Sequence, residues 1–315
     1  MHEPASDELK FLNQALHRTA FFSEAHSLKS IMALHRLSVI DSEFFSENRL
    51  AEMAEWNQVL KTPTVLGLCT NNVESMPLSA ENQKDLLDGA VFPLAYLAAT
   101  SWARERGLKN LILAYKNLAI ERIGHLGHSW TIWCSFLECE AYIKSEEQSL
   151  LAAERFAELI ATQLSIPDWV PSVSVNFSLE TEILNEQDVI DMVCCYPGYF
   201  GHSVITLSYM FKYRSEFSAE QWRHSLARIY KFAQNSAHRS KNNIFVPKPD
   251  DTKEAQKNML QKEMIDFLEY APKEAHSLTL ADAIWEFWGY VSNGTKLHLL
   301  SVLTTYGQAL RSFKR

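Results

Sequence analysis

Apolar residues recur at helical rather than strand spacing along most of the chain. Leu9, Leu12 and Leu16 follow Ser6 and Asp7, residue types that cap helix starts. Ile31, Leu34 and Leu37 share one side of "HSLKSIMALHRLSVI", so the first two segments read as a helical pair. "QKDLLDGAVFPLAYLAATSWARERG" keeps this period except at a Gly-x-x-x-Pro interruption, which predicts a kink, and Gly107 predicts its end. "LKNLILAYKNLAIERIG", "EEQSLLAAERFAELIATQL", "NEQDVIDMVCCYP" and "SAEQWRHSLARIYKFAQNS" continue the series. "KEAQKNMLQKEMIDFLEYA" and the long run from Thr279 to Phe313 complete it. Only "SVSVNFS" alternates as a short strand would. "KTPTVLGLCTNNVESMPLSAEN" reads as a connection, and the polar, proline-bearing region at about 235–258 as an exposed loop. The expected fold is all-α: one large helical domain over 1–315, a multi-helix array.

One pattern is written twice. "GHLGHSWTIW" starts at Gly124 and "GYFGHSVITL" at Gly198, each Gly-x-x-Gly-His-Ser opening an apolar run in a chain with only 10 glycines. The repeat is compatible with two related halves. If each Gly-x-x-Gly is a turn, His128 and His202 open helices, where the positive end of the dipole favours neutral imidazole, the metal-binding form. Thr131 and Thr206 share their helix faces. Their hydroxyls either orient a metal-bound water as catalytic groups or bond backward to helix carbonyls.

Composition narrows the function classes. Gly and Pro number 10 each in 315 residues, which favours long regular elements. A net charge of -8 leaves no basic footprint for phosphate neutralisation, so no nucleic-acid partner is expected. "AVFPLAYLAAT" falls well short of the ~20 residues that cross a bilayer, and the start carries no signal-peptide pattern, so a cytoplasmic protein without membrane contact is expected. Five cysteines form no Cys-x-x-Cys pair and are expected to be reduced, the vicinal Cys194 and Cys195 included. Dinucleotide, P-loop, nucleophile-elbow, His-Glu-x-x-His and Glu-x-x-His motifs are absent. What remains is histidine dispersed on helices: His26, His128, His202 and His298, a pattern that suits a mononuclear metal with open positions.

These segments resemble the questin oxidase-like family. "AHSLKSIMALHRLS" is similar to that family's early Asn-His-Leu-Pro-Met stretch followed by Ala-Leu-x-Arg-Leu, with His26, Ala33, Leu34, Arg36 and Leu37 matching, while Ala25 and Lys29 depart from it. "GHSWTIWCSFLECEAY" resembles its His-Gly-x-Ile-Arg stretch through His128, with Ile132 in place of arginine. "GHSVITLSYMFKY" resembles its Leu-His-x-Val-Thr stretch through His202 and Val204, with Ile205 in place of threonine. "NGTKLHLLSVL" resembles a C-terminal His-x-Ile-Lys-Leu stretch through Lys296 and Leu297, with Asn293 at the histidine position.

The resemblance implies a helical non-haem Fe(II) oxygenase acting with dioxygen on an aromatic or quinone-like metabolite of secondary metabolism. It implies His26, His128, His202 and Lys296 as ligands, the lysine as a carbamate, with His298 or His125 as substitutes where Asn293 departs. The ring-rich positions Trp130, Trp133, Tyr209, Trp285 and Trp288 read either as core or as substrate pocket. Two other readings stay open. A metal-free helical protein of the same fold would bind a small apolar ligand or a partner; a zinc enzyme would hydrolyse or isomerise its substrate.

Overall fold

Helix starts in this chain carry their own stop and start chemistry. The computed structural model describes residues 6–18, 26–41, 43–56, 78–124, 126–165, 185–239, 245–246, 256–270 and 275–313. Among them there are 15 α-helices and no strand, so the fold is all-α. In chain order these are α1 (Ser6–Leu16), α2 (His26–Ser38), α3 (Glu47–Trp56), α4 (Ala80–Asp88), α5 (Leu94–Arg106), α6 (Leu108–Ala114), α7 (Lys116–Glu121) and α8 (His128–Glu140). They continue with α9 (Glu146–Leu159), α10 (Glu186–Cys195), α11 (His202–Lys212), α12 (Ala219–Arg239), α13 (Lys257–Tyr270), α14 (Ala275–Phe287) and α15 (Asn293–Phe313).

Ser79, Ser145 and Asn185 accept a hydrogen bond from the backbone N–H of Asn82, Gln148 and Gln187, starting α4, α9 and α10. Ser218 and Gln221 form a reciprocal capping box ahead of α12, with bonds of 3.0 and 3.1 Å. Gly107 ends α5 at φ 89° while its N–H reaches Ala103 O at 3.0 Å.

Two expectations change. The Gly-x-x-x-Pro interruption is a complete break between α4 and α5 rather than a kink, because Gly89 closes α4 on Asp85 O and Pro93 has no N–H to continue the ladder. The predicted loop at about 235–258 starts too early: α12 runs to Arg239, since no glycine or proline interrupts the chain there. The expected strand "SVSVNFS" lies outside the described residues.

The chain divides into two units, and the division falls inside α2 and α3. Unit 1 comprises Met1–His35, Ala54–Arg122 and His128–Pro167; unit 2 comprises Arg36–Met53, Ile123–Gly127 and Asp168–Arg315. In unit 1, α5 packs on α4 and α9, and α8 lies against α6 and α9. The side chains of Trp130, Trp133 and Phe136 on α8 are buried, and Trp133 Nε1 donates to Ile112 O at 2.8 Å. Full burial of each such ring stabilises by roughly 1.5–3 kcal/mol.

In unit 2, α11 packs on α14, α13 on α15, and α10 on α12. Val204, Ile205, Leu207 and Met210 of α11 and Leu278, Ile284 and Phe287 of α14 are buried, so both helices are apolar nearly all round and belong to the core. No helix among the described residues is long and apolar enough to cross a membrane.

Candidate metal centre

Both Gly-x-x-Gly stretches are turns. Gly127 N–H bonds Gly124 O at 3.1 Å and Gly201 N–H bonds Gly198 O at 3.2 Å, and α8 and α11 begin at the next residues, His128 and His202. Gly127 has φ +62°, and a Cβ placed there would lie 1.9 Å from Thr206 Oγ1, so the first motif's glycine seats directly on the second motif's helix. The second turn is the more constrained. Phe200 sits at φ 46°, a conformation costly for a bulky side chain, between Gly198 and Gly201, both at positive φ. Tyr306 holds the turn at both ends: Gly201 N–H donates to its hydroxyl at 3.2 Å, and that hydroxyl donates to Gly198 O. Burial raises the Tyr306 hydroxyl above its ordinary pKa, keeping it a neutral donor.

This turn sets the chemistry of His202. The Nδ1–H of His202 donates to Tyr199 O, and a carbonyl can only accept, so the neutral ring carries its lone pair on Nε2. The His276 ring, on the second residue of α14, lies 4.9 Å from it. Phe200 stacks on His276 at 4.8 Å and 17°, and Tyr199 lies parallel to His202 at 6.1 Å. Aromatic contact thus fixes the plane of each imidazole.

His26 opens α2, and its ring meets the edge of His128 at 4.6 Å and 90°. His202 and His276, both in unit 2, each offer one ring nitrogen, and these two atoms lie within 4.8 Å of one another. Nitrogen ligands at 2.0–2.1 Å around a tetrahedral ion stand about 3.4 Å apart, so binding one ion takes a contraction of up to about 1.4 Å. This pair of histidines can supply two ligands to a metal ion. Neutral imidazoles suit zinc, copper or iron alike.

The other candidates are placed as follows. His128 is buried beside His26 within unit 1. Lys296 is half-buried with its Nζ 5.7 Å from the centre of the Trp288 ring, and His298 Nε2 lies 3.2 Å from Val246 O and 3.9 Å from Cys195 Sγ. His125 lies outside the described residues. Thr206 Oγ1 donates back to His202 O at 2.7 Å, the backward bond rather than a ligand-facing one. Thr131 is fully buried on α8. Trp130 and Trp133 stack at 5.1 Å. Tyr209 accepts from Arg36, and Lys257 Nζ covers the Trp285 ring at 4.4 Å. The sequence reading missed His276. Its signal was present: "AHSL" occurs at Ala25 and again at Ala275, and His26, His128, His202 and His276 are each followed by serine.

A second buried polar cluster lies within unit 1. Tyr96 donates to Glu158 Oε1 at 2.8 Å, and the Arg155 guanidinium lies 3.1 Å from the same oxygen and 4.0 Å from Glu154. Burial raises the Glu154 carboxyl to about 7. The α-helix continues from here into a π-turn, Ile160–Leu164.

Comparison with protein-family models, with curated proteins and with solved structures finds no match for this chain.

Proposed function

We propose that the protein is a metal-dependent enzyme, a non-haem iron oxygenase in which His202 and His276 are ligands of the ion. The observation that carries this reading is the approach of the His202 and His276 imidazole nitrogens within 4.8 Å, with both rings set in plane by aromatic stacking. The resemblance of the segments around His26, His128 and His202 to the questin oxidase-like family supports iron and an aromatic or quinone-like substrate with dioxygen. Bound iron would supply open positions for dioxygen and substrate.

The protein's own residues do the arranging. The Tyr199 carbonyl accepts a hydrogen bond from His202 Nδ1–H, which would leave the Nε2 lone pair for the ion. The helix start at His202 opposes a bare cation and favours an anion beside it, which suits a phenolate or carboxylate substrate.

Elemental analysis of protein purified without oxygen tests the reading. About one iron per chain is expected, lost in a His202→Ala, His276→Ala double variant, with oxygen consumed on addition of a polyhydroxylated naphthalene or anthraquinone. Iron content unchanged in the double variant would overturn it. A second reading has its own support: neutral imidazole ligands such as His202 and His276 also suit a zinc site. Zinc retained after growth in iron-rich medium, with no oxygen-dependent turnover, selects a zinc hydrolase or isomerase instead.

A further inference from the structure

Within unit 2, the two helices that carry His202 and His276 are tied again some two turns further along. Arg36 Nη2 donates to Tyr209 Oη at 2.7 Å, while Nε and Nη2 donate to Asp282 Oδ1 and Oδ2 at 2.8 and 2.6 Å. Tyr209 stands seven residues after His202 on α11, and Asp282 stands six after His276 on α14. At 1.5 Å per residue these are axial distances of about 10 and 9 Å, so the guanidinium bridges the pair of helices at nearly equal depth below the two imidazoles. Ser208 Oγ donates to Ala283 O at 2.7 Å beside it, and Gly201 lies against Leu280 at the upper end. Asp282 is fully buried, where a carboxylate is costly unless paired, and Arg36 provides the two-pronged pairing that a lysine cannot.

We propose that Arg36 is a positioning residue, whose fork on Asp282 and Tyr209 sets the register of α11 against α14 and with it the spacing of the His202 and His276 imidazoles. A slip of one residue along a helix is 1.5 Å, larger than the tolerance of a metal–nitrogen bond. The guanidinium therefore contributes to metal affinity without touching the ion. The consequence for affinity rests on the proposed metal reading; the consequence for imidazole spacing does not.

The test uses full-length protein with 15N-labelled histidine, wild type against Arg36→Lys and Tyr209→Phe. Metal-free samples are expected to show the imidazole signals of His202 and His276 displaced in both variants, while that of His224, on α12, stays in place. Titration with Co(II) is expected to show affinity weakened about 10- to 100-fold and a changed visible spectrum, the usual scale for loss of an outer-shell contact. Unmoved His202 and His276 signals in either folded variant overturn the proposal. If Arg36→Lys does not fold, Tyr209→Phe decides alone. If wild-type protein binds no Co(II), the metal reading falls, and the imidazole signals still decide this one.

Discussion

Each unit buries a cluster of arginine, acid and tyrosine, and the two are wired differently. In unit 2 the Arg36 fork meets both oxygens of Asp282 and the hydroxyl of Tyr209. In unit 1 Arg155 lies near Glu158 and Glu154, yet its Nε, Nη1 and Nη2 make no hydrogen bond among the described residues. A buried charge pair gains only when geometry and hydrogen bonding are both complete. Burial raises both carboxyls, Asp282 above its ordinary value and Glu154 to about 7, but Asp282 has both oxygens hydrogen-bonded to Arg36 while Arg155 gives its acids no hydrogen bond, so it is the first cluster that can hold two helices in place.

The largest test of that contrast is Asp282→Ala, which leaves the Arg36 guanidinium without its carboxylate. A loss of about 3–5 kcal/mol is expected in urea unfolding. Next comes the comparison of Arg36→Lys with Arg155→Lys. The first loses the two-pronged geometry and is expected to cost about 2–3 kcal/mol, the second, with no fork to lose, under about 1 kcal/mol. Equal losses would erase the distinction between the clusters.

Glu154 provides a pH test. Its folded value of about 7 lies above the ordinary 4.5, so between these values the native state holds more protons than the unfolded chain. Stability contributed by this group is therefore present at low pH and falls as pH rises through that window. Glu154→Gln is expected to flatten the fall and to stabilise the protein at pH 8 by about 2 kcal/mol, allowing for screening. The smallest effect is the sharpest. Tyr96→Phe and Tyr209→Phe should each cost about 1 kcal/mol, but only Tyr209→Phe should move the His202 and His276 imidazole signals.

Much of the architecture was legible because it is local. Helical period and the Gly107 stop are both fixed within a few residues. The two Gly-x-x-Gly turns were legible for the same reason, as were the helix starts at His128 and His202. The break at Gly89–Pro93 was readable in position but not in degree, since a kink and a full stop use the same two residues.

The site was readable only in part. His26 and His202 stood out by themselves, because each opens an apolar helix. Choosing His276 over Lys296 and His298 required the fold: all three sit on helices of similar pattern, and only the packing of α11 on α14 brings one ring within 4.9 Å of His202. Likewise Tyr209 and Asp282 stand 173 and 246 positions from Arg36, and nothing in their neighbourhoods names their partners. The sequence alone determined which segments are helices, where they start and which imidazoles open them, since propensity, capping and periodicity act over one or two turns. Tertiary structure alone decided which imidazoles meet and which arginine is fully bonded, because those contacts join residues that share no local chain.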